Sequence, residues 1–264
     1  MRTIDDTRRV MTRRFCGVVL SVCMVLLSAC HTPAHTTLTL SVAASLKEVI
    51  AETEAAYTHD HASVDFHNNY GPSGTLAAQI EQGAPVDVFL SAAAEPMDEL
   101  GAKQLIVANT RRNLLRNSLV LIAPRESRLR DFQGLTDPSI RLIALGDPSS
   151  VPAGQYGKET LVTLHLLDKV KGKLVLAKDV RQVLAYVETG NADAGLVYAT
   201  DARTSDKVRV VAAAPDSAHD PIIYPVAVVA GRPGEEVARK FVEYLGTPAA
   251  QAIFQRHGFT IAAP

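Results

Sequence analysis

Tryptophan is absent, and the three cysteines, Cys16, Cys23 and Cys30, all fall within the first thirty residues. Beyond residue 30 the chain therefore holds neither a disulfide nor a thiol nucleophile. An excess of either charge is also missing: 27 Lys and Arg stand against 28 Asp and Glu, a formal net charge of -1. Without a basic stripe or indole stacking platforms, the footprint of a nucleic-acid binder is lacking. No low-complexity tract or short repeat interrupts the 264 residues, which argues against disorder and against a solenoid. Signatures of common catalysts are missing too: no Gly-x-Ser-x-Gly elbow, no His-Glu-x-x-His and no phosphate loop with its lysine. His59-Asp60-His61 offers metal-ligating side chains, but its polar setting after a helix reads as a solvated loop. The reading is of a chain that is not an enzyme and needs no cofactor.

What is present begins with a leader. Arg13 and Arg14 precede the apolar run Phe15 to Ala29, which ends in Leu27-Ser28-Ala29-Cys30. That run is shorter than the ~20 residues a membrane-spanning helix needs, and small residues stand where a peptidase would cut. Leu-Ser-Ala-Cys resembles the lipobox of bacterial lipoproteins. The expectation is a signal peptide over 1–30, lipidation of Cys30, a tether over 31–37, and a periplasmic or cell-envelope protein held to a membrane. Asp5 and Asp6 suit a cationic leader badly, so Met11 competes with Met1 as the start.

From Leu38 on, short β-branched runs alternate with amphipathic stretches, the pattern of an α/β protein with a mostly parallel sheet. Strands are expected at Leu38–Val42, Val64–Phe66, Asp87–Leu90, Leu119–Ala123, Leu142–Leu145, Leu174–Leu176, Ala194–Tyr198, Val208–Val211 and Val226–Val229. Helices are expected at Leu46–Tyr57, Thr75–Glu81, Gly154–Leu166, Val180–Glu188, Glu235–Leu245 and Ala249–His257. So many strands fit two doubly wound lobes better than one sheet. Asn117-Ser118 and Tyr224-Pro225 are the expected crossings, which gives 38–118 plus 226–264 as lobe 1 and 119–225 as lobe 2.

Four times a strand ends in a small-residue turn that opens a helix: Val42-Ala43-Ala44-Ser45-Leu46, Tyr70 through Leu76, Gly146 through Gly154, and Lys178-Asp179-Val180-Arg181. Free backbone N–H groups at such starts, with the helix dipole, favour an anion. In an open α/β sheet these starts lie at the carboxyl ends of the strands, where ligands bind. Each residue also has a plain structural role. Ser45, Ser73 and Asp179 are good N-caps, and Tyr198 suits a core.

Residues 71–92, Gly-Pro-Ser-Gly-Thr-Leu-Ala-Ala-Gln-Ile-Glu-Gln-Gly-Ala-Pro-Val-Asp-Val-Phe-Leu-Ser-Ala, resemble the periplasmic molybdate-binding proteins of ABC transporters. Further blocks agree in the same order: Gly146-Asp147-Pro148 to Gly154, Asp179-Val180-Arg181 to Glu188, Gly195-Leu196-Val197-Tyr198 to Ala202, Tyr224 to Val229, and Gly258-Phe259. The resemblance implies two α/β lobes joined by a hinge, of the type II periplasmic binding kind. It implies a monomer that delivers molybdate, and tungstate beside it, to an ABC permease and its ATPase subunits. Ser45, Ser73 and Tyr198 would offer hydroxyls to the anion, and Ala153 and Val180 backbone N–H groups. Pro72 departs from relatives that carry a small residue there, so no amide is available at that position. A site made only of donors suits a fully ionised dianion and disfavours hydrogen phosphate, whose proton calls for an acceptor. Sulfate, and an oxyanion-sensing role on the same fold, stay open as alternatives. Arg181 points away from its neighbour Val180 on a helix, so an exposed or interlobe role is expected for it.

Overall fold

A computed structural model describes residues 35–263. The leader, Cys30 and the first part of the tether lie outside the described residues. The described chain forms two lobes, each a β-sheet with helices.

The first sheet has the strand order β11-β4-β10-β3-β1-β2. Its strands are β1 (Thr36–Ala43), β2 (Val64–Gly71), β3 (Val88–Leu90), β4 (Arg112–Arg116), β10 (Ile223–Val228) and β11 (Thr260–Ile261). The second has the order β7-β6-β8-β5-β9. It comprises β5 (Leu119–Pro124), β6 (Ile143–Gly146), β7 (Leu174–Ala177), β8 (Ala194–Tyr198) and β9 (Val208–Ala213). Parallel pairing joins β1 to β2 and β3, and β6 to β7 and β8. Both sheets are mixed, because β10 and β5 pair antiparallel with their neighbours. These are the strands by which the chain enters each sheet from the other, with no crossover helix to turn it parallel.

Two boundaries move from the sequence reading. Thr36 and Thr37 pair with Val64 and Asp65 as strand, so the tether ends before them. Residues 223–225, expected in lobe 2, open β10 in the first sheet, where Tyr224 faces Leu115. The ladder shifts register between Tyr224 and Pro225, so the missing proline N–H falls at the irregularity.

Nine helices follow in chain order among the described residues: α1 (Lys47–Asp60), α2 (Ser73–Glu81), α3 (Ala94–Ala102), α4 (Pro152–Thr163), α5 (Leu167–Val170), α6 (Val180–Glu188), α7 (Ala199–Ala202), α8 (Glu235–Leu245) and α9 (Pro248–Arg256). Their sequences explain them. In α8, Ala238, Phe241, Val242 and Leu245 recur at helical spacing and are buried. Pro248 opens α9, and the Thr247 hydroxyl accepts from the Ala250 amide. Helix α3 is not among the expected helices; its Pro96 sits in the first turn, where no intrahelical N–H is needed. Strand β4, Arg-Asn-Leu-Leu-Arg, was also missed, since its two apolar residues are hidden between charges.

One polar group is buried at a cost. Glu54 on α1 is 8% exposed. It accepts from Asn68 Nδ2 at 2.9 Å, and its other oxygen has no partner. Burial pushes the carboxyl up to about 7, against a weaker lowering by Asn68. Between the ordinary carboxylate range and pH 7 the folded state then holds more protons than the unfolded one, so stability falls as pH rises. Glu54→Gln removes that dependence. Its stability relative to wild type should be little changed at pH 4.5 and rise by pH 8, by up to about 3 kcal/mol, with the melting temperature moving in the same direction. Equal differences at both pH values, in melts followed by circular dichroism, would refute the assignment.

Candidate anion site between the lobes

The loops that follow β1, β2 and β3 in one lobe face those that follow β6, β7 and β8 in the other. Between them lies a small, tight cavity. Ser45, Ser73, Ala153, Val180 and Tyr198 all line it, together with Ala92 and the turns Ala43-Ala44 and Gly71-Pro72. All five are at most 4% exposed.

The serine hydroxyls are not caps. Ser45 sits inside the 3₁₀ turn Ala44–Leu46, and neither that turn nor α1 has a side-chain cap. Ser73 is the first residue of α2, behind Pro72 at the cap position, again with no side-chain cap bond. The Ser73 oxygen accepts from the Ala92 N–H at 2.9 Å. With its oxygen engaged, the hydroxyl hydrogen remains to be donated, and the cavity lies beside it. The Ser45 oxygen lies 3.2 Å from the Tyr224 hydroxyl.

Ala153 is the second residue of α4, after Val151 and Pro152, and Val180 is the first residue of α6. Amides at these positions have no carbonyl of their own helix to bond, and the helix dipole adds partial positive charge there. Asp179 caps α6 by accepting from Gln182 N at 2.8 Å. Asp147 accepts from the amide and hydroxyl of Ser149, and those bonds hold its carboxyl below the usual range. The two carboxylates near these turns, which could otherwise accept from a protonated anion, are thus a cap and a turn. Tyr198 donates to the Ala92 carbonyl across the lobes at a long 3.4 Å. Burial raises its phenol pKa well above the ordinary value, so it stays a donor at any physiological pH.

Other bonds hold the lobes together around the cavity. Gly74 N–H donates to Ser150 O at 3.1 Å. Arg181 bonds Glu48 across the cleft, and its Nε lies 2.9 Å from the fully buried Asp201. Its side chain faces a neighbouring cleft and not the anion cavity. Burial pushes Asp201 up to about 7 even though Arg181 pulls it down. His59 and His61 do not converge: His59 meets Asp60, whereas His61 stacks on Tyr57 at 4.0 Å between centroids.

Sequence reasoning did not connect Tyr224 and Asn117 with the site. They were marked as crossings between lobes, and nothing in the local pattern points from residue 224 to Ser45.

A family model for bacterial extracellular solute-binding proteins matches residues 38–260. The chain is 42% identical over 230 residues to the molybdate-binding protein ModA of Escherichia coli K12, covering 85% of this chain and 89% of that one. It is 45% identical over 226 residues to YvgL of Bacillus subtilis, provisionally named an ABC transporter substrate-binding lipoprotein, covering 85% and 86%. Among solved structures, the periplasmic molybdate-binding protein of Azotobacter vinelandii superposes with a TM-score of 0.77 at 24% identity, over 86% of this chain and all of that one. That last likeness is one of fold.

Proposed function

The chain belongs to the bacterial extracellular solute-binding proteins, and from that premise we propose that it captures molybdate, and tungstate with it, for delivery to an ABC permease and its ATPase subunits. One observation carries the reading: Ser45, Ser73, Ala153, Val180 and Tyr198, drawn from both lobes, wall a single cavity with their hydroxyls and helix-start amides. Such a cage matches an anion with no proton to give. The one carboxylate on the wall, Asp179, is committed to its own helix. Hydrogen bonds to a charged group are stronger than neutral ones, so helix dipoles and neutral donors balance a dianion without a salt bridge. Closure about the two crossings would bring Ala153, Val180 and Tyr198 onto an anion first held by Ser45 and Ser73. The protein does no chemistry on its cargo. The leader and Cys30 would export it and tether it by lipid at the cell envelope, which the name given to the Bacillus relative supports.

The test is calorimetric titration of the chain from residue 31 with molybdate, tungstate, sulfate and hydrogen phosphate. Molybdate and tungstate should bind tightly and at equal stoichiometry. Sulfate or phosphate binding without molybdate would overturn the reading.

One variant isolates a backbone donor. Val180 is the first residue of α6, where proline is tolerated, and Asp179 before it is extended (φ -157, ψ 170), as a residue preceding proline must be. Val180→Pro therefore removes an N–H while keeping a compact apolar side chain at this buried position. Molybdate affinity should fall by about 1.5–3 kcal/mol, the value of a hydrogen bond to a charged group, with the melting temperature of the free protein nearly unchanged. Undiminished affinity in the same titration would take the Val180 amide out of the site.

A further inference from the structure

We propose that Asn117 and Tyr224 are positioning residues: they form a one-way chain of hydrogen bonds that forces the Ser45 hydroxyl to act as a donor toward the anion. The proposal rests on the anion-binding reading above and deepens it.

The direction of the chain follows from its far end. Asn117 lies between β4 and β5, where the chain passes from one sheet to the other. Its Oδ1 accepts from the Ser118 N–H at 2.9 Å. An amide oxygen can accept from that N–H and the amide nitrogen cannot, so the side chain has one orientation. Nδ2 then faces two oxygens, Thr200 Oγ1 at 2.8 Å and Tyr224 OH at 3.1 Å, and donates to both.

Tyr224 is 1% exposed. Its oxygen receives the Asn117 hydrogen, so its own hydrogen is available in another direction, and the Ser45 oxygen stands 3.2 Å away. Either of those two hydroxyls can donate in isolation. With Asn117 donating behind it, the phenol hydrogen is best directed at Ser45, and Tyr224 is taken as the donor of that bond. The Ser45 oxygen is then an acceptor within the protein, and its hydrogen is left for the cavity. Ser73 reaches the same state by a shorter route, through the Ala92 amide. Both serines thus have a hydrogen to offer the cavity, with one lone pair already taken inside the protein.

This makes the cage selective as well as attractive. A serine free to rotate can accept from a protonated oxyanion, which would let hydrogen phosphate or hydrogen arsenate compete. A serine with its hydrogen aimed at the anion meets it with a donor and disfavours the protonated form. The chain also reports the arrangement of the lobes, since Asn117 bonds Tyr224 in the first sheet and Thr200 on α7 in the other lobe.

The experiment is molybdate titration of wild type, Tyr224→Phe, Ser45→Ala and the Ser45→Ala/Tyr224→Phe pair, with a thermal melt of each. Tyr224→Phe should weaken molybdate about 5- to 20-fold, less than the loss of a whole hydrogen bond to a charged group, because Ser45 keeps its hydroxyl. In the Ser45→Ala background the same change should cost less than about 2-fold, because its route to the anion is gone. Equal losses in both backgrounds, or none in wild type, would overturn the chain as a device acting through Ser45.

A second variant reverses the chain in place of deleting it. Asn117→Asp keeps the shape but cannot donate, so Tyr224 turns its hydrogen to the carboxylate and Ser45 must donate away from the cavity. Molybdate should weaken about 10- to 100-fold, and most of that loss should vanish when Tyr224 is phenylalanine. A loss that persists in the phenylalanine background is plain charge repulsion and overturns the proposal. Should Asn117→Asp not fold, the Ser45 and Tyr224 cycle decides alone. Failure of wild type to bind molybdate at all would be a failure of the functional reading, and is told apart by that first titration.

Discussion

Gly154→Ala should lower the stability of the protein by about 3 kcal/mol or more and weaken molybdate at least about 100-fold, although residue 154 offers no atom to the anion. The reason is a close approach of two backbones. Helix α4 begins against the end of β6, and a Cβ on Gly154 would fall within the van der Waals envelope of the Gly146 carbonyl group, 3.0 Å from the Gly146 Cα. What it meets is backbone in a strand, paired on one side to β7 and held in the core, so no flexible side chain can move aside. The helix start has to lift instead. Ala153 is the preceding residue and lines the cavity, so lifting that start would displace its amide. A loss of about 3 kcal/mol corresponds to a drop of about 6–12 °C in melting temperature for a chain of this size. Gly172→Ala is the matched control, because a Cβ there meets nothing within 4 Å. It should melt within about 2 °C of wild type and bind equally well. A Gly154→Ala protein that melts and binds like the control would mean that the start of α4 has slack, and the Ala153 donor would lose its argument.

The same pair of glycines marks what was legible in the sequence. Gly146 and Gly154 bracket a turn with Asp147-Pro148 and Val151-Pro152, and turn chemistry of that kind is local. So are the stripe of α8, the cap of α6 and the apolar run of β8, and the sequence reading of α6, α8 and β8 carries the bounds found in the structure. Elements whose reason for existing is non-local escaped. Strand β4 has charged ends and two leucines, and becomes a strand because β10 and β11 flank it. The two-residue strand β11 has no pattern at all. In the site, local chemistry picked out the strand-to-helix turns but could not separate a capping serine from one facing a ligand. That distinction depends on Ala92 and Tyr224, 19 and 179 residues away. The ion pair of Arg181 with Glu48 spans 133 residues, whereas the sequence suggests only an exposed or interlobe role with no partner named.

Removing both hydroxyls, Ser45→Ala with Ser73→Ala, should have the largest effect on binding of any pair of side chains. Each hydroxyl offered to a dianion is worth about 1.5–3 kcal/mol, so the pair sums to about 3–6 kcal/mol, two to four orders of magnitude in Kd. The measured loss should fall short of that sum, because both serines would face one small ion able to reseat toward the remaining donors. Stability gives the opposing measurement. Ser73→Ala leaves the buried Ala92 N–H without its acceptor, which costs about 1–3 kcal/mol, and Ser45→Ala leaves the Tyr224 hydroxyl without the partner toward the cavity. The double variant should therefore melt several degrees lower yet stay folded at 25 °C, where titration reads affinity on folded protein. Serines that served only to start helices would behave in reverse, with α1 and α2 weakened and molybdate bound as before. The two readings predict opposite movements of two independent numbers, Kd and melting temperature, so one purified variant decides between them.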